Sequence, residues 1–89
     1  MKVYLVQNRG WFPNTDSCET LCVFSNKKDA LNAMNTTYLD FIKDVDNGGV
    51  KDINPDCYRT TNKDDEMWVV SNDEFQYYEH WWVEEFELQ

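Results

Sequence analysis

The sequence predicts an α+β domain: an antiparallel sheet of about four strands, in the order β-β-α-β-β, with one long helix packed on one face. Three observations predict it. Leu31, Met34, Tyr38, Phe41 or Ile42, and Val45 recur at steps of three and four, with Ala30 and Ala33 beside them, which is the period of one buried helical face. Residues 2 to 7 and 67 to 71 are short runs rich in Val, Trp, Tyr and Leu, the composition of strands covered on at least one side. Turn-forming residues then leave only hairpin-length links at either end of the chain, so neighbouring strands are expected to pair antiparallel.

In chain order, the first strand covers residues 2 to 7. Arg9-Gly10, Pro13-Asn14 and Asp16-Ser17 follow as three turn signals in a row, predicting a hairpin with a long tip over residues 8 to 19. Trp11 and Phe12 would lie on that tip, either folded back over the sheet edge or presented to a partner. The second strand, ending in Leu21-Cys22-Val23-Phe24, feeds directly into the helix. Ser25-Asn26 can cap the unpaired amides of its first turn, and Asn47-Gly48-Gly49 can close it in left-handed geometry. This places the helix at residues 26 to 46.

Lys27 and Lys28 sit at the positive end of the helix dipole and Asp44 and Asp46 at the negative end, costing on the order of 1 to 2 kcal/mol in total. Either packing of the apolar face offsets this, or the charged ends serve a partner. Residues 48 to 66 show little periodicity, with Asn54-Pro55-Asp56 as a turn and Asn62-Lys63-Asp64-Asp65 as a polar tip. So long a connection holds either a short strand near residues 57 to 61 or a functional loop. Residues 67 to 71 form the next strand, Asn72-Asp73-Glu74 a turn, and residues 75 to 88 a final strand or strand pair.

The 89 residues fit one domain, 1–89, with a single core. No apolar run approaches a membrane span, and MKVYLVQNRG lacks the apolar length and cleavage site of a signal peptide, so the expectation is a soluble chain in the cytoplasm of a host cell, without membrane contact. Cys18, Cys22 and Cys57 make an odd count at spacings that match no common disulfide scaffold, as expected of free thiols in a reducing compartment. With His80 they could supply four zinc ligands, but the second pair is not a compact motif, and neither metal nor cofactor is expected.

Charge is the most informative feature of the composition. The net charge is −9. Residues 1 to 45 hold five acids and five bases, whereas residues 46 to 89 hold twelve acids against Lys51, Arg59 and Lys63. From Asp64 onward there are nine acids and no Lys or Arg.

If the stretch from Tyr77 to Leu88 is extended, alternate residues face opposite sides. Tyr78, His80, Trp82, Glu84, Phe86 and Leu88 have the more apolar end and are expected to meet the helix. Tyr77, Glu79, Trp81, Val83, Glu85 and Glu87 would then form the wet face. Carboxylates two apart on a strand are about 6.5 to 7 Å apart, comparable with successive phosphates along a nucleic-acid strand. Such a surface attracts proteins with a basic cleft and repels nucleic acid, so no direct nucleic-acid binding is expected. The plainer reading is a half-buried strand whose charges guard an edge against aggregation. His80 has no nucleophile placed beside it by a motif, and no enzymatic activity is expected.

The opening MKVYLV, the Val23-Phe24-Ser25 junction into a helix that begins Lys-Lys-Asp-Ala, and the closing Trp82-Val83-Glu84-Glu85-Phe86-Glu87-Leu88 resemble small proteins of phages and their bacterial hosts. These open with a strand, pass through a "VFS" turn into a helix and end in an acidic "EEFEL" strand. The resemblance covers about a third of the chain. It implies the sheet-plus-helix layout and a phage or bacterial setting, and no activity.

Together these readings give a small acidic binding protein that inhibits or modulates a host nucleic-acid-handling or defence protein by occupying its basic site, in the manner of a DNA mimic. Glu79, Trp81, Glu85 and Glu87 are the expected contact residues, with Asp64, Asp65 and Glu66 as a second acidic patch. The alternative is a structural homodimer built on Trp81 and its neighbours.

Overall fold

A computed structural model describes residues 1–12, 15–71 and 77–88. Over the described residues the fold is α+β, with one helix on an antiparallel sheet of five strands. The elements are β1 (Lys2–Phe12), β2 (Thr15–Phe24), α1 (Lys27–Asp46), β3 (Tyr58–Lys63), β4 (Glu66–Ser71) and β5 (Tyr78–Glu87). Across the sheet the order is β2-β1-β5-β4-β3. The first and last strands in the chain's two halves thus meet at the centre, and β2 and β3 form the edges.

The extra strand is β3. Its sequence, YRTTNK, is nearly all exposed, so it carries no hydrophobic alternation, and only its pairing with β4 defines it. The hairpin also differs from its expected shape. Trp11 and Phe12 lie within β1, because the strand continues through its turn-forming residues and pairs Gly10 with Ser17 and Trp11 with Asp16. Arg9 holds the arm in register by donating to both carboxylate oxygens of Asp16, at 3.2 and 3.1 Å, while β5 pairs with its other side as far as Trp11. Leu21 is the extra residue of a bulge, since Val6 pairs with Cys22 and Gln7 with Thr20. The expected turns at Pro13-Asn14 and Asn72-Asp73-Glu74 lie outside the described residues.

Helix α1 starts and stops where its capping residues dictate. Asn26 is extended and its side chain accepts from the Asp29 amide at 3.1 Å. At the other end Gly48, at φ 76°, lets its own amide reach Val45 O (3.0 Å) while the Gly49 amide reaches Asp44 O (2.8 Å), the two bonds of a Schellman closure. Asp46, unfavourable for the dipole, accepts from the Tyr58 hydroxyl at 2.7 Å and so ties the helix end to β3. Replacing Asn26 by alanine is expected to lower stability by about 1 kcal/mol, read as a shift in the urea midpoint at constant slope.

The helix lies against β1, β2, β4 and β5. Its buried residues are Ala30, Met34, Tyr38 and Val45. They meet Val6 from β1, Met67 and Val69 from β4, and Trp81 from β5. Ile53, 1% exposed, plugs the same core from the connection between α1 and β3. That connection is otherwise built of turns, with the Asp56 amide donating to the Asn54 side chain (2.9 Å) and the Cys57 amide to Asn54 O (3.0 Å). Among the described residues no helix is long and apolar enough to cross a membrane.

Candidate functional site

The placement of Trp81 overturns the expected orientation of β5. It is 1% exposed and packs edge-on against Tyr38 (ring centroids 5.8 Å) and Phe41 (5.3 Å). The set Glu79, Trp81, Val83, Glu85, Glu87 therefore faces the helix side, and Tyr78, His80, Trp82, Glu84, Phe86 the other. The apolar end at Phe86 misdirected the assignment, because α1 covers only the middle of the strand. From Glu84 onward every described residue is exposed on both faces, so residues 79 to 83 alone decide which side is buried.

The expected acidic surface is divided accordingly. Glu85 pairs with Lys2 at 3.7 Å and Glu87 with the N-terminal ammonium at 3.5 Å, both exposed pairs worth about 0 to 1 kcal/mol. Glu66 and Glu84 sit on the opposite face from Glu79, Glu85 and Glu87. Asp64 and Asp65 are exposed at the β3–β4 turn, which the Val83 amide anchors by donating to Asp65 O at 3.1 Å. Hence the seven residues do not form one array, and Trp81 is a core residue with no surface to offer a partner.

Glu79 is unusual among the acids. Its carboxyl is half-buried beside Gly10, and Oε2 has no hydrogen-bond partner. Burial, reinforced by the charge of Glu19 and opposed by Asn8, pushes its pKa up from 4.5 to about 7. A Cβ at Gly10 would run into Glu79 Oε2, so any side chain there would oblige the Glu79 carboxyl to shift.

Among the described residues no element lies over the face of the sheet opposite α1, and that face carries a row of aromatic rings. Strand β4 alternates strictly, with Met67, Val69 and Ser71 buried and Glu66, Trp68 and Val70 outward. Cross-strand pairing sets Trp68 beside His80 and Trp11 beside Tyr78. The rings stack: Trp82 on His80 at 4.6 Å, His80 on Trp68 at 3.6 Å and 11° between planes, Trp68 against Tyr78 at 5.2 Å, and Tyr78 on Trp11 at 6.2 Å. They are half-buried because they shade one another, and Trp11 remains 42% exposed.

Polar groups hold the row in place. The Trp68 indole N–H donates to Glu66 Oε1 at 2.5 Å. That bond is the main cause of a lowered Glu66 pKa, helped by the nearby His80 and Lys63 and opposed by burial. His80 Nε2 lies 3.2 Å from the same oxygen but outside hydrogen-bonding angles. Burial between the two tryptophans lowers the His80 pKa, against the pull of Glu66. Gln7 bridges Thr20 (2.6 Å) and Glu84 (3.2 Å) across the same face.

At the β3 edge of the row an open groove of about 540 Å³ is lined by Arg59, Thr61, Lys63, Trp68, Val70 and Tyr78. The sequence alone sets Tyr78 and Trp82 against the helix, where the structure turns them to the open face, and gives no surface role to Trp68 or to the β3 residues. The in-phase alternation of Glu66, Trp68 and Val70 was a usable signal for Trp68, whereas β3 offers none without its partner strand. Among the described residues no group of three or more His, Cys, Asp or Glu side chains is placed to hold a metal ion. Cys18 is exposed and Cys22 and Cys57 are half-buried, all as free thiols.

No protein-family model, curated protein or solved structure matches this chain.

Proposed function

We propose that this is a non-enzymatic binding protein whose uncovered sheet face engages a positively charged protein. The single observation that carries the reading is the stacked row of Trp11, Tyr78, Trp68, His80 and Trp82 on a face that no part of the described chain covers. Tryptophan and tyrosine are the side chains that most often dominate binding energy at protein interfaces, and a contiguous aromatic surface is costly to leave in water without a partner. Five strands about 4.8 Å apart and about 30 Å long present on the order of 600 Å², comparable with one side of a standard interface.

Charge selects the class of partner. At net −9 the molecule attracts basic surfaces over a distance of about one Debye length and repels acidic ones. Glu66 and Glu84 lie on the aromatic face and Asp64 and Asp65 beside it, but Arg9, Arg59 and Lys63 share that face, so the charge of the whole molecule would steer the encounter while the rings anchor it. A host protein that handles nucleic acid, or a defence protein, has the kind of basic site that such a surface would occupy, inhibiting or modulating its activity; the resemblance to small phage proteins bears only on the phage or bacterial setting.

The test is affinity capture from host extract with mass spectrometry, run in parallel with a Trp82→Ala/Glu84→Lys variant whose fold is checked by circular dichroism. The expected result is one partner captured by the wild type, released as salt rises, and bound at least tenfold more weakly by the variant. Equal capture by the variant overturns the reading. A dimer in sedimentation that ignores salt and dissociates on Trp82→Ala assigns the face to a second copy of the chain.

A further inference from the structure

The aromatic row stops one strand short of the sheet edge. Strands β1, β5 and β4 each contribute a ring, but on β3 the residue registered with Trp68 is Thr61, which is too small to continue the stack. Trp68 is covered by His80 on one side, at 3.6 Å and nearly parallel, and lines the groove above Thr61 on the other. Arg59 and Lys63 flank Thr61 on the same face of β3, each two residues away and so about 6.5 to 7 Å along the strand.

Residues 46 to 89 hold only three basic side chains, Lys51, Arg59 and Lys63, and two of them line this one groove. Among the described residues neither is in an ion pair, although Lys63 pairs in register with Glu66 and helps to lower its pKa. A flat ring surface between two cations, with a hydroxyl at its centre, has the chemistry of a site for a planar aromatic anion. The groove volume of about 540 Å³ lies within the range of about 300 to 1,000 Å³ typical of small-molecule sites.

We propose that this groove binds a nucleoside monophosphate, its base stacked on Trp68 in the position a β3 ring would have filled and its phosphate held by Arg59 and Lys63. The overall charge of −9 does not forbid it. At physiological ionic strength charges more than about 8 Å away are largely screened, so the groups at the groove decide: Arg59 and Lys63, two cations, against the one carboxylate of Glu66 beside Trp68 and Lys63. The same overall charge opposes a long strand, whose further phosphates would meet Asp64, Asp65 and Glu66 at one end of the groove. A single nucleotide is therefore the fitting occupant. The groove shares Trp68 and Tyr78 with the row assigned to the protein partner, but the two tests are separable, because Arg59 and Lys63 lie on β3 whereas the partner test alters Trp82 and Glu84 on β5.

The experiment titrates the full chain with adenosine monophosphate, adenosine, thymidine monophosphate and a short oligothymidylate, following amide and indole shifts by NMR. Saturable shifts at Thr61 and the Trp68 indole with the monophosphate are expected. Binding should weaken at least tenfold both for adenosine and for the Arg59→Ala/Lys63→Ala variant, whose substitutions are at exposed positions and leave the fold intact. Trp68→Phe keeps a ring and should retain most of the binding, while Trp68→Leu should lose it. An oligothymidylate that binds no more tightly than thymidine monophosphate identifies the free nucleotide as the ligand, and one that binds more tightly moves the ligand to a single strand at the same site. Absence of shifts at Thr61 and Trp68, or equal binding of adenosine and its monophosphate, overturns the proposal.

Discussion

Trp81→Ala is expected to cost about 3 to 5 kcal/mol, the range for truncating a large aromatic in a core. The residue is 1% exposed and touches both Tyr38 and Phe41 from α1, so its loss opens a cavity where the helix is joined to the central strand. Total stability of a folded domain is about 5 to 15 kcal/mol, so the loss removes a large fraction of it and at the low end of that range unfolds the variant at 25 °C. Trp82→Ala, one residue on but on the open face, should cost less than about 2 kcal/mol, since it removes shading between rings without leaving a void. Urea titration followed by far-ultraviolet circular dichroism compares the two. The reverse ranking would invert the faces of β5 and remove the basis for the aromatic binding surface.

The second large effect is a pH dependence centred on Glu79. Its carboxyl has an unfolded pKa near 4.5 and a folded one of about 7, so between these values the folded state binds the extra proton. Stability should therefore be highest at and below about pH 4.5 as far as this group is concerned, fall as pH rises to about 7, and then level off. The full shift corresponds to about 3 kcal/mol at 1.36 kcal/mol per unit, and solvent access to the half-exposed carboxyl reduces this to about 1 to 2.

Glu79→Gln keeps the shape and removes the proton, so at pH 8 the variant should be about 1 to 2 kcal/mol more stable than the wild type, and the difference should vanish near pH 4. His80 works in the opposite direction: its lowered pKa makes stability fall as pH drops below about 6.5. Taking the difference between Glu79→Gln and wild type cancels that contribution. Parallel pH curves for the two proteins would place the Glu79 carboxylate in open solvent.

What was legible in the chain follows from how local each signal is. The helix needs only its own residues: the Asn26 cap, the Gly48 closure and the spacing of Met34, Tyr38 and Val45 all lie within one continuous stretch, and all function as read. The antiparallel layout followed from turn residues and short strands. Strand β3 is not decided by its own residues, because YRTTNK exposes nearly every side chain and acquires its identity from backbone bonds to β4. The length of the hairpin arm was misjudged for a related reason, since the residues that favour a turn at Gly10 are overruled by ladder bonds on both sides.

By itself the sequence determined the fold class, the limits of the helix and the excess of negative charge, because each depends on neighbours in the chain or on composition alone. Only the tertiary structure decided which side of β5 is inside. Alternation offers two equivalent faces, and the choice rests on where a helix of fixed length comes to lie along a longer strand. That choice buries Trp81, separates Glu79, Glu85 and Glu87 from Glu66 and Glu84, and turns Trp68, His80 and Trp82 into one continuous outward surface.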